Sequence, residues 1–261
     1  MSRCRLSARW AAGLTVIVVA GCSTGPDLPD ALPSTSAVVV EDAGPVGVRD
    51  ATVVWSAEPG IDLFDERGRM VRAAQESDWI GLIVGSGETY PGFMDAVGSY
   101  GVFKFDDPGR KRWPVVGTFY WHILDIVDTS AGFEAVVCNQ SSRIAELREN
   151  NTYVTSFGPA SSERVTFERV LVPSSNESVS FESKGPSSLG VDRSSSSGRP
   201  QWQRLSENVF SGWSVSTGGK SAAMQACKDW GYAIVPKAPV SGSRTVRSDV
   251  PPVTVPAYPG W

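Results

Sequence analysis

An α+β domain, with helices packed on one curved antiparallel sheet, is the fold class this sequence predicts. Three observations carry it. A stretch around residues 66–84 has its apolar positions at helical spacing. A series of β-branched and aromatic runs, separated by turn residues, follows from about residue 114. A second helical pattern then returns after residue 221.

The elements begin after a leader. Arg3, Arg5 and Arg9 are basic, Trp10 to Ala20 is uncharged, and Val19-Ala20-Gly21-Cys22 closes the run with small residues before a cysteine. A membrane-crossing helix needs about 20 apolar residues, so this run is too short, and residues 1–21 read as a secretory signal. The order of parts resembles the lipobox of bacterial lipoproteins. That resemblance implies a diacylglyceryl thioether on Cys22, cleavage just before it, palmitate-type acylation, and anchorage in the lipid bilayer on the extracytoplasmic face of the cell membrane. A plain secretory signal with an incidental cysteine is the alternative. Residues 22–48 then read as the lipidated cysteine and a disordered tether, with Pro26, Pro29, Pro33 and Pro45, spanning roughly 25–30 Å as a coil.

The globular domain is expected over residues 49–236. Ala51 to Ser56 alternates weakly, as a short strand would. Asp65 and Glu66 precede a helix whose one face carries Met70, Ala73, Ala74, Ser77, Ile80, Gly81 and Val84, stopped by Gly85 and Gly87. Thr89 is expected to cap a second, short helix with Pro91 in its first turn, running to about Val97. Val102–Phe105, Pro114–Val127, Phe133–Asn139, Tyr153–Phe157 and Arg164–Val172 read as strands, the second and third as a hairpin. Residues 173–200 are a serine-rich excursion, with 11 serines between Ser174 and Ser197 and a short strand expected at Val179–Phe181. Val209–Ser216 returns to strand character. Ser221 is expected to cap a helix that turns Ala223, Ala226, Cys227 and Trp230 to one side, and residues 237–261 read as a Pro-rich tail.

This layout resembles the NTF2-like superfamily, in which a cone of helices packs on a strongly bent sheet. The resemblance rests on the early helix ending before Tyr90-Pro91-Gly92-Phe93 and on the hairpin from Gly117 through Val136-Val137-Cys138. It also rests on Arg164 to Val170 and on Gly212-Trp213-Ser214-Val215. It covers residues 60–216, and the serine-rich insertion departs from it. A plain antiparallel sandwich stays open as the alternative.

Without the three leader arginines the chain holds 21 basic and 28 acidic side chains, a formal charge of −7. An acidic domain has no general pull toward nucleic acid, so none is expected as a partner. Of the four cysteines, Cys4 leaves with the leader and Cys22 is taken by lipid. Cys138 and Cys227 remain in an oxidising compartment, where a disulfide between them is the simplest expectation and two buried thiols the rival. Neither has neighbours at metal-ligand spacing, and no metal or cofactor is expected.

His122 is the only histidine in the chain, so any histidine-dependent mechanism must use it. Strand alternation puts it on a face with Tyr120, Leu124 and Ile126, with Asp125 on the other face beside Trp121 and Ile123. A His–Asp dyad within the strand therefore needs a bulge. The NTF2-like resemblance implies acid–base residues on the concave face, which makes His122 and Tyr120 the catalytic candidates, with Glu134 across the hairpin. A packed structural histidine is the plainer reading. Gly212-Trp213-Ser214 lacks the last glycine of a nucleophile elbow and has no histidine after it. Gly218-Gly219-Lys220-Ser221 lacks the first glycine of a P-loop.

Eight tryptophans follow the leader, most of them expected in the core and the rest free to line a pocket or a contact patch. The favoured function is a non-catalytic binding or interaction module of the cell envelope, taking a small apolar ligand or another envelope protein. An NTF2-like isomerase or hydrolase with a small apolar substrate, and a structural or stress-related component, are the alternatives.

Overall fold

A computed structural model describes residues 44–170 and 201–261. The expected leader, Cys22, the expected tether as far as residue 43, and the serine-rich segment with its expected strand at Val179–Phe181 lie outside the described residues. Residues 44–48, expected in the tether, instead pack on the domain, with Val48 buried and Gly44 N donating to Trp202 O at 3.2 Å. The elements run β1 (Asp50–Ala57), α1 (Glu66–Ile83), α2 (Phe93–Phe105), β2 (Val115–Asp128), β3 (Gly132–Gln140), β4 (Ile144–Leu147), β5 (Tyr153–Phe157), β6 (Ser161–Arg169), β7 (Trp213–Lys220), α3 (Met224–Ile234) and β8 (Arg244–Ser248). The class is α+β, with one predominantly antiparallel sheet. Among the described residues no helix is long and apolar enough to cross a membrane.

The sheet order is β7-β6-β3-β2-β4-β5-β8, with β1 paired to β2 outside this path. The β1–β2 pairing is parallel, from Asp50 opposite Val116 to Ala57 opposite Ile123, and α1 and α2 form the crossover between the two strands. Strand β2 is long enough to serve two groups of partners. Its first residues, Val115 to Gly117, pair with β4, while Tyr120 to Asp128 pair with β3. The two halves of the sheet, β3-β6-β7 and β4-β5-β8, are thus both hung on one strand. Gly117 sits where they meet, at φ +110°, and a Cβ there would collide with the Arg143 carbonyl, which accepts from Thr118 N at 3.0 Å.

Helix α1 starts as expected. The Asp65 carboxylate accepts from Gly68 N at 2.7 Å and caps it. Its apolar face is buried, but Arg72, Gln75, Glu76 and Asp78 are buried too. The helix is therefore covered nearly all round, which its mixed sequence does not announce.

Several expectations are corrected. Val102–Phe105 is the last turn of α2, not a strand. Gly98, at φ +61° and ψ −153°, kinks that helix and breaks its period in the sequence. Phe105 is buried against Gly81, whereas Val102 and Phe103 are exposed, so the apparent alternation has no inside and outside. The residue at the start of α2 is Gly92 rather than Thr89, whose hydroxyl donates to the Ser86 carbonyl and closes a 3-10 turn. Strand β7 begins at Trp213, not at Val209. Ser221 stands outside α3, accepting from Ala223 N at 3.1 Å, and Ala226 is exposed.

Residues 237–261, expected as an appended tail, complete the sheet. Strand β8 covers the free edge of β5. Further on, Tyr258 bonds across to β1: Tyr258 N donates to Val53 O at 3.0 Å, and Trp55 N donates to Tyr258 O at 2.6 Å. The edge of β5 is thereby covered along its length and that of β1 at one point, which shortens the template each offers for aggregation, while β7 and β8 stand at the ends of the sheet.

The core lies between the sheet and the α1–α2 crossover. Trp55 and Trp121, partners across β1 and β2, stack at 4.9 Å, and Phe133 stacks on Phe167 at 4.5 Å. Helix α3 covers the opposite face, where Cys227 is bridged to Cys138 of β3 with Cα atoms 5.1 Å apart.

Candidate functional site

His122 lies on the α3 face of the sheet and is 6% exposed. One ring nitrogen, Nδ1, is 2.9 Å from the Ser56 hydroxyl of β1, and Nε2 is 3.2 Å from Glu58 Oε1. The Trp230 indole of α3 stacks on the ring at 5.4 Å. A register shift between Ile123 and Asp125 supplies the bulge a dyad would need and reverses the faces beyond it. Ile126, opposite Ala135, therefore packs toward the core, and Asp125, opposite Val136, lies on the side of His122. Asp125 is exposed, however, and the ring nitrogens are already engaged by Ser56 and Glu58. Glu134 is farther along the hairpin, opposite Val127, with Arg164 3.8 Å away. Tyr120 is half-buried two residues before His122 on the same face.

A second polar group sits inside the core. Glu76 of α1 is fully buried and accepts from Trp55 Nε1 at 2.8 Å, from Trp261 Nε1 at 2.9 Å, and from the Tyr90 hydroxyl. Burial holds its carboxyl above the usual range, against the pull of the Tyr90 hydrogen bond, Arg72 and the two indoles. Burial likewise pushes the Tyr90 phenol well up, and the neighbouring Glu76 adds to it. Arg72 donates to the carbonyls of Leu63, Pro259 and Gly260 and lies 4.1 Å from the Trp261 ring centroid. Every member binds another member or the tail, so the group acts as a clasp for residues 259–261.

A third group occupies the far end of the same face. Asp78 accepts from Lys104 Nζ and from the Thr217 hydroxyl, both at 2.5 Å. Glu163, from β6, accepts from Asn139 at 3.2 Å. Burial raises the Glu163 carboxyl, Asp78 adds to the rise, and Lys104 opposes it.

The open space is elsewhere. A cleft of about 580 Å³ lies between the end of α1, the loop before β2, and the β4-β5-β8 half of the sheet. Its apolar floor is Trp79, Leu82 and Ile83 from the helix, facing Val115, Ile144 and Val154 from the sheet. Register explains the sheet side: Val115 is opposite Glu146, and Glu146 is opposite Val154, so all three point to one face. The rim is basic, with Arg110, Lys111, Arg112 and Arg148 against the single carboxylate of Glu146. Arg112 anchors the loop by donating to the Val84 carbonyl at 3.0 Å and to the Phe105 carbonyl. Arg148 pairs with Glu146 and stacks over Trp113 at 4.7 Å.

Neither His122 nor Tyr120 lines this cleft. The sequence pattern had not pointed to its rim. The one local signal is the run Arg110-Lys111-Arg112-Trp113 in an otherwise acidic chain. Floor and rim come from five separate segments, which no short motif joins. No protein-family model, curated protein or solved structure matches the chain.

Proposed function

We propose that this chain is an extracytoplasmic lipoprotein held in the cell membrane by acylated Cys22, whose NTF2-like cone of helices and sheet binds a small, largely apolar ligand. The observation that carries the binding role is the cleft. At about 580 Å³ it falls within the ~300–1,000 Å³ typical of small-molecule sites. Its floor is apolar while the core beside it is filled with stacked aromatic rings. The anchor reading rests on the leader and is tested separately. Labelled palmitate should enter the wild-type chain and not Cys22→Ala, and a Cys22→Ala chain that stays in the membrane fraction and takes up label would refute the anchor.

Native mass spectrometry tests the ligand. The mature chain, residues 22–261 with Cys22→Ser, is exported from a bacterial host and sprayed intact. An extra mass released on denaturation is expected, and Leu82→Trp, which fills the floor, should abolish it. A bare mass for the parent chain would count against a retained ligand.

A second reading, a hydrolase, is favoured by one observation, the Ser56–His122–Glu58 hydrogen-bond chain. It has the partners of a nucleophile, base and orienting acid. Trp230 stacked on the imidazole and the position of the cleft away from Ser56 both speak for a structural role instead. Labelling by a fluorophosphonate, lost in Ser56→Ala, would decide for the hydrolase; an unlabelled parent chain decides against it.

A further inference from the structure

Resting on the reading of the cleft as a ligand site, we infer that its ligand is a single-chain anionic amphiphile. Its carboxylate or phosphate head lies against Arg110, Lys111 and Arg148, and its chain runs over Trp79, Leu82 and Ile144. The chain beyond the leader carries seven more acidic than basic side chains, yet one edge of this cleft gathers four cations and one carboxylate. That carboxylate, Glu146, is already paired with Arg148. Arg112 is committed to two backbone carbonyls. Arg110 and Lys111 form no ion pair among the described residues. Donors on the rim thus outnumber acceptors, and the unmatched charge is positive.

Position adds to charge. A run of cations on a loop is ordinarily a solvated surface. Here the run ends in Trp113, on which the Arg148 guanidinium stacks at 4.7 Å and near which Lys111 lies at 5.9 Å. The indole holds two of the cations at the mouth of an apolar floor, which reduces the ordering cost when an anion arrives. A charged head at such a mouth meets cations in a medium less polar than water, where attraction is stronger than on an open surface. Apolar floor and cationic rim together match a molecule with the complementary division. A cationic amphiphile would meet repulsion, and a neutral one would leave the rim unused.

The test is calorimetric titration of the mature chain, residues 22–261 with Cys22→Ser, with four probes of one chain length. These are dodecanoate, dodecyl phosphate, dodecanol and dodecyltrimethylammonium, each below its micelle concentration. Both anions should bind, the alcohol about tenfold more weakly, and the ammonium not measurably. The tighter of the two anions names the head group. Arg110→Glu combined with Lys111→Glu should weaken the anions about tenfold and leave the alcohol unchanged. Both side chains are exposed, so the melting temperature should not move. Equal affinity for alcohol and anions, or anion binding indifferent to the double substitution, would overturn the anionic class and leave the cleft as a ligand site. Failure of all four probes would overturn both the class and the reading on which it rests.

Discussion

The two halves of the sheet are built from the same strand, β2, and end in opposite ways. On the β3-β6-β7 side, Phe133, Phe167 and Trp213 pack into one aromatic group, and α1 and α2 close over it. On the β4-β5-β8 side only the end of α1 reaches across, and the apolar side chains face a cleft with a basic rim. Both halves carry β-branched and aromatic side chains, so the presence of such residues does not distinguish them. Coverage does. The first half supplies rigidity; the second keeps apolar surface that a filled core would have consumed.

The contrast can be broken by substitution. The largest expected effect is loss of the disulfide that ties α3 to the closed half. The Cys138→Ala/Cys227→Ala chain should lose about 4–5 kcal/mol in urea unfolding, because the bridge closes a span of 89 residues. Next is Phe167→Ala, fully buried, expected to cost about 3–5 kcal/mol in the same assay. Leu82→Ala, half-buried on the cleft floor, should cost only about 1 kcal/mol. Similar costs for Phe167→Ala and Leu82→Ala would show that the open half is packed as tightly as the closed one.

The smallest effect concerns pH. Glu163 has a folded-state pKa above its ordinary value of 4.5, chiefly through burial. The fold therefore favours its protonated form, and the stability this provides is present below 4.5 and lost as pH rises through the raised value. Glu76 is shifted in the same direction. Glu163→Gln should flatten, without abolishing, the decline in melting temperature above pH 4.5, and raise neutral-pH stability by at most about 1 kcal/mol. An unchanged pH profile would mean that Glu163 is charged and well solvated in the folded protein.

How far the fold was legible differs from element to element. Asp65, three residues before Gly68, marked the start of α1, and Tyr153–Phe157 was bounded as β5 is found. Both are local signals. Strand β4, four residues long, has too little pattern to register, and it takes its place only because Val115–Gly117 offers a free ladder. The kink at Gly98 hid the second half of α2. At the candidate sites, alternation placed His122 and Tyr120 on one face correctly, but the bulge before Asp125 reversed everything beyond it. Ser56 and Glu58, 66 and 64 residues away in sequence, were not foreseen as the partners of His122.

By itself the sequence determined what neighbours within a few residues can settle. These are the cap and period of α1, the bounds of β5, the faces of β2 as far as Ile123, and, on the reading that Cys4 is cleaved away and Cys22 acylated, which two thiols were left to pair. Tertiary structure alone decided that Glu76 is buried among three aromatic donors, that residues 244–261 pair with β5 and β1, and that Trp79, Arg110, Ile144 and Thr245 border one cleft. The physical reason is range. Capping and periodicity are enforced by bonds and sterics along the backbone, whereas burial, pairing of distant edges and the shape of a cavity arise only when remote segments compete for the same space.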